Sequence, residues 1–300
     1  MSGYLPKYGA QGPNPENYFF KSSKIDILSF KTTPFELFAP DGISVSTHAT
    51  GFHWRKGSVG YVITNRHVVT GRDCFTDGLM PSGFIPRKAR VYMCTWEPDP
   101  ADNTKRRPWR QTTKFDLYDE DGRANWIQHP LFDELRIDLA AIPFCDVEED
   151  QDHSYSPFLN DYSFTELRHD VGSDVTILGY PFRNYAGINP AIWKRGTMAS
   201  EPSLLVDGKP MFLIDSLSRP GMSGSPVIKR VYGAAQLADG SLSLTPSALT
   251  EFIGIYSGRL ASLEASDAAI AYAWSADALS QLIEHGSSPT FADVHPGIPF

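Results

Sequence analysis

The chain has 300 residues, 41% hydrophobic and 12% aromatic, enough apolar material for one large packed domain or two of ordinary size. Its 35 acidic and 27 basic residues give a formal charge of −8, which argues against a dedicated nucleic-acid binder. No apolar signal-like region opens the sequence and no run of about 18 apolar residues interrupts it, so neither a secretory signal nor a membrane-spanning helix is expected. On those absences alone the expected location is cytoplasmic.

Residues 1–35 are rich in Pro, Gly, Asn and Lys and read as an extended N-terminal arm. From 36 onward come short apolar runs separated by turn residues. Val59–Thr64 and Ala89–Thr95 carry the β-branched and aromatic side chains of strands, and Ile137–Phe144 is a third short run. Between them, Lys105-Arg106-Arg107-Pro108-Trp109-Arg110 is basic around an aromatic, a composition that can bind single-stranded nucleic acid. The overall negative charge favours a solvated surface loop instead. The acidic stretch Asp146–Asp152 lacks the ligand spacing of a calcium loop and reads as a linker, which places a first domain over 36–150 and a second over 151–286.

The second half repeats the short-strand pattern at Asp174–Gly179, Pro210–Asp215, Pro226–Arg230 and Phe252–Tyr256. The period changes only near the end. Leu279, Leu282 and Ile283 fall at helical spacing, with Ser275 as N-cap, Asp277 in the first turn and Gly286 after the last. Residues 287–300 form a tail. Many short strands in two halves, closed by one helix, predict an all-β fold of two antiparallel barrels or sandwiches. The three cysteines, Cys74, Cys94 and Cys145, are odd in number and widely spaced, as expected of free thiols rather than a disulfide framework or zinc site. His48 and His53 have no cysteine or carboxylate beside them to complete a metal site, and no metal or organic cofactor is expected.

Three segments carry chemistry. In Gly221-Met222-Ser223-Gly224-Ser225-Pro226-Val227 a serine stands between glycines that open backbone conformations closed to other residues. There the N–H groups of Gly221 and Ser223 could converge on one oxygen. In Thr64-Asn65-Arg66-His67-Val68-Val69, His67 follows an apolar strand, and an imidazole can accept and return a proton near neutral pH. Asp138 lies inside the apolar run Ile137–Ile142, where a buried carboxylate needs a partner such as a histidine N–H. Asp116 and Asp133 are rivals in more polar surroundings. The order His, Asp, Ser recurs in one known catalytic arrangement.

These motifs resemble the chymotrypsin-like (trypsin-fold) serine peptidases, especially bacterial members without disulfides. The His67 segment looks like the histidine motif of Deg-type proteases. His129-Pro130-Leu131-Phe132 followed by Asp138-Leu139-Ala140 looks like the aspartate segment, and the Ser223 turn looks like that of glutamyl endopeptidases. The resemblance implies two Greek-key β-barrels with a cleft between them, and a C-terminal helix. It implies His67 as base then acid, Asp138 as its orienter, Ser223 as nucleophile, and Gly221 and Ser223 N–H groups as the oxyanion hole. It also implies a polypeptide substrate, with Leu217 at the base of the specificity pocket, Ser257 and Gly258 on its wall and Arg259 at its rim. Met222 replaces the aspartate that pairs with a freed N-terminus in vertebrate digestive members, so activation by that ion pair is not expected. Two alternatives stand beside the peptidase: a catalytically silent peptide-binding or sensor module on the same fold, and an esterase using the same groups.

Overall fold

In the computed structural model, residues 25–39, 41–80, 82–147, 156–181, 190–217, 219–260 and 270–300 are described, with backbone alone described at 95–97 and 105–110. The arm up to residue 24 and the acidic stretch from 148 to 152 lie outside the described residues.

The first sheet uses seven strands: β1 Thr32–Phe38, β2 Val45–Lys56, β3 Val59–Thr64, β4 Lys88–Asp99, β5 Asp102–Asp116, β6 Ile127–Gln128 and β7 Ala140–Asp146. Their order is β5-β4-β1-β2-β3-β7-β6. The second set comprises β8 Asp174–Gly179, β9 Ile192–Met198, β10 Met211–Asp215, β11 Pro226–Gln236, β12 Leu242–Arg259 and β13 Ile270–Ser275. It closes into a barrel in the order β10-β13-β12-β11-β8-β9. All paired strands run antiparallel. The expected all-β architecture in two halves with a C-terminal helix is what the chain adopts. The second half closes its hydrogen-bonded ring, whereas the first stays an open seven-stranded sheet among the described residues.

Four α-helices lie among the described residues: α1 Arg66–Thr70, α2 Phe132–Leu135, α3 Ala276–His285 and α4 Phe291–Val294. Helix α3 begins as its caps predict, with the Ser275 hydroxyl accepting from Ala278 N–H, and it buries Ala278, Leu279 and Leu282. Burying such side chains contributes roughly 1.5–3 kcal/mol for each large one. They join a core drawn from both halves, including Phe52, Ile63 and Leu139 from the first and Ile228, Ile255 and Trp274 from the second. This shared core fixes one sheet against the other and so positions the surface between them.

Four local expectations differ from the structure. The basic segment 105–110, expected as a surface loop, lies within β5 and pairs antiparallel with β4. The run expected from Ile137 becomes strand only at Ala140, because Asp138 turns out of the sheet to make other contacts. In addition, β1 begins at Thr32, inside the stretch expected as an arm, and the tail contains α4 with a reciprocal Thr290–Asp293 capping box. The three cysteines are free, and no helix among the described residues is long and apolar enough to cross a membrane.

Lys31 stitches the halves together. It is 2% exposed, and its Nζ donates to the carbonyls of Ser156 and Phe158, both at 2.7 Å. Burial pulls its pKa down to about 8, partly opposed by the charge of Asp161. Lys31→Met strands the Ser156 carbonyl without its donor, a loss expected to cost about 1–3 kcal/mol. Urea denaturation checks this, and an unchanged midpoint contradicts it.

Candidate active site

Strand β3 ends at Thr64, and the chain turns directly into α1, which carries His67 one residue in. Asn65 anchors the turn by donating from Nδ2 to the Asp138 carbonyl at 2.8 Å. Arg66 is buried with its guanidinium 3.6 Å from the Phe132 ring centroid. Gly71 closes α1 in the left-handed region, its N–H donating to the His67 carbonyl.

Asp138 has no solvent exposure, so its carboxylate must be satisfied by protein donors. His67 N–H donates to Oδ1 at 2.7 Å, and His67 Nδ1 lies 2.6 Å from Oδ2. The carboxylate only accepts, so Nδ1 carries the proton and Nε2 is left as the free acceptor. The Ser257 hydroxyl donates to Oδ2 at 2.5 Å, and the Tyr272 hydroxyl lies 3.1 Å from Ser257 Oγ. Ser257 has one proton and the carboxylate takes it, so Tyr272 turns its own proton toward Ser257. Burial disfavours the charged imidazole of His67, but attraction to Asp138 and their hydrogen bond outweigh it and leave the pKa raised. The His67 side chain keeps 16% exposure while that of Asp138 keeps none. The Nδ1 edge of the ring meets Asp138, and the residue also lines the cavity beside Ser223.

The Ser223 turn comes from the other half. Gly221 and Gly224 sit at φ 95° and 84°, conformations that side chains resist. Gly224 is demanded twice, since a Cβ there would stand 2.1 Å from the Thr50 carbonyl and 2.4 Å from Thr64 Oγ1. Met222 buries its side chain against Ile177 and Val227 of the second half, so an apolar plug anchors the turn. Thr50, on β2 of the first sheet, holds the turn from across the cleft. Its N–H donates to the Ser223 carbonyl at 2.8 Å and its hydroxyl to the Gly221 carbonyl at 2.7 Å. With those carbonyls drawn away, the N–H groups of Gly221 and Ser223 donate to no protein acceptor among the described residues.

His67, Ser223 and Gly221 share the lining of one cavity of about 190 Å³. Among the described residues no hydrogen bond joins His67 to Ser223. The Ser223 hydroxyl instead donates to the Ser257 carbonyl at 2.9 Å. Ser257, expected as a pocket wall, is buried and serves Asp138 as well. Leu217, expected at a pocket base, is 63% exposed on the loop after β10. Gly258 is half-buried and Arg259 exposed at the end of β12. None of these four lines the cavity that holds His67 and Ser223. Thr50 and Tyr272 carried no sequence signal, because their partners lie 171 and 15 residues away and only folding brings them together.

The model of the trypsin-like peptidase domain matches residues 49–234. Among solved structures, the chain is similar to the Rv3671c protease from M. tuberculosis in its active form. The identity is 17%, over 88% of this chain and 84% of that one, with a TM-score of 0.42. No curated protein matches the sequence.

Proposed function

Since the chain belongs to the trypsin-like peptidase family, we propose that it is a serine endopeptidase working through an acyl-enzyme intermediate. The observation that carries this reading is the His67–Asp138 pair, hydrogen-bonded at 2.6 Å, opening into a cavity that also holds Ser223. In the proposed cycle the Ser223 hydroxyl leaves the Ser257 carbonyl and turns to His67 Nε2. Catalytic hydrogen bonds of this kind often tighten only when substrate is present. His67 takes the proton as Ser223 Oγ attacks the scissile carbonyl, and Asp138 stabilises the imidazolium. The N–H groups of Gly221 and Ser223 receive the oxyanion. His67 then returns the proton to the leaving amine, and water releases the acyl group by the same steps.

A pool of proteome-derived peptides incubated at pH 8 tests the proposal through the new N-termini that appear. A pool returned uncut contradicts it. The rate should depend on pH with a definite sign, because His67 must be neutral to act as base and its pKa is raised. Activity is therefore expected to rise with pH along a limb whose midpoint lies above 6.5, the ordinary histidine value. A rate independent of pH down to 4 excludes His67 as the base. The silent-module reading has one observation behind it, the Ser223 bond to the Ser257 carbonyl, and predicts peptide bound without being cut.

A further inference from the structure

Three arginines gather around Tyr118 and His295, the residue that caps α4. Arg66 is 3% exposed, Tyr118 5%, and His295 not at all. Arg66 Nε donates to Gln128 Oε1 at 2.9 Å, and Arg72 Nε donates to His295 Nδ1 at 3.0 Å. The Arg87 guanidinium lies over the Phe291 ring of α4, 3.9 Å from its centroid. The charges of Arg66, Arg72 and Arg87 all bear on both the Tyr118 hydroxyl and the His295 imidazole. Among the described residues the arginines in ion pairs are Arg55, Arg90, Arg168, Arg195 and Arg230, so none of these three is paired. Asp138 and Asp77 attract Arg66 and Arg136 repels it. Both oxygens of Asp138 already accept from His67, and one from Ser257.

The buried polar atoms of this cluster are donors in want of an acceptor. Arg66 Nη1, Tyr118 Oη, Trp126 Nε1 and His295 Nε2 are shielded from solvent and have no hydrogen-bond partner, a costly state for buried groups. The Trp126 N–H bears on the Tyr118 hydroxyl without completing a hydrogen bond to it. His295 Nδ1 accepts from Arg72, so the proton of the neutral ring sits on Nε2. Burial and the three arginines pull the pKa of His295 down to about 4 and keep it neutral. The Tyr118 ring lies 6.3 Å from that of Trp126 and 6.4 Å from that of His295, which places the unpaired donors in one small region.

We propose that this cluster binds a single halide ion, chloride in ordinary buffers, held by Arg66, Tyr118 and His295. A spherical monovalent anion accepts from all these donors at once and offsets the surrounding guanidinium charge. A water would bring two protons of its own that need acceptors. A phosphate or sulfate would carry further charge into a region closed to solvent. None of the three arginines, nor Tyr118, Trp126 or His295, lines the cavity that holds His67 and Ser223, so the site stands independently of the peptidase reading.

Thermal unfolding tests it, with sodium gluconate replaced stepwise by sodium chloride or bromide at constant ionic strength, which leaves ordinary screening unchanged. The unfolding temperature is expected to rise by at least about 2 °C and to saturate at millimolar halide. Tyr118→Phe keeps the ring and removes one donor. The halide concentration that gives half of the rise is then expected to increase by about tenfold or more. That concentration is read within each protein, so a general loss of stability does not move it. Crystals grown in bromide are expected to show an anomalous peak between Arg66, Tyr118 and His295. An unfolding temperature indifferent to halide, a half-rise concentration unmoved by Tyr118→Phe, or bromide crystals with no peak among these residues overturns the site.

Discussion

Ser223→Ala is expected to reduce kcat for peptide cleavage by roughly 10⁵–10⁶-fold, the size of loss seen when a nucleophile acting as part of a unit is removed. The residue's place predicts so large an effect without global damage. Its side chain makes one hydrogen bond, to the Ser257 carbonyl, and the turn is held by backbone and Thr50 contacts that alanine keeps. The variant should unfold at a temperature close to that of the unaltered protein while its turnover disappears. A variant retaining more than about a hundredth of the original rate would place the nucleophile elsewhere, because water-level catalysis from binding and oxyanion stabilisation alone is weaker than that.

Asp138→Asn is expected to lower kcat by about 10⁴-fold, through the wrong imidazole tautomer. Asp138 accepts from His67 N–H and His67 Nδ1 on its two oxygens, and from Ser257 on one of them. Asparagine replaces one oxygen with an NH2 group, so one of those donors meets another donor. The simplest relief is for Nδ1 to become an acceptor, which moves the ring proton to Nε2, where a base must be vacant. The substitution also removes the charge that raises the His67 pKa. Burial, the largest influence on that group, then acts unopposed by that charge, and the midpoint of the remaining pH limb should fall. Kinetics at plateau pH together with the full pH profile check both effects. Activity within tenfold of the unaltered protein, with an unmoved limb, contradicts the assigned role.

The sequence carried much of this fold where local and long-range preferences agree. The expected strands Val59–Thr64 and Asp174–Gly179 coincide with β3 and β8, since each is a β-branched run ended by a turn. Helix α3 announced itself through its cap and spacing. Strand β1 did not, because Pro34 sits inside it and proline cannot donate to a ladder. Burial decides there: β1 carries Phe35, Leu37 and Phe38 into the interior, which outweighs the missing donor. The basic run at 105–110 reads as a loop by charge, yet its pairing with β4 overrides composition.

At the site, His67, Asp138 and Ser223 were legible because each stands in a short stretch with its own chemical logic. Their supports were not. Thr50 is an ordinary strand threonine until β2 meets the Ser223 turn, and Ser257 reads as a pocket wall until its hydroxyl is seen on Asp138. The expected pocket at Leu217 came from the family resemblance and not from the residues themselves, and the chain there follows the end of β10 out to the surface.

The most direct test of the central proposal is the site of covalent capture by a fluorophosphonate probe, located by peptide mass spectrometry after digestion. The account predicts one adduct, on Ser223, formed faster as pH rises past 6.5 and absent from Ser223→Ala. A protein that remains unmodified at pH 8, or one modified on another serine, would contradict it.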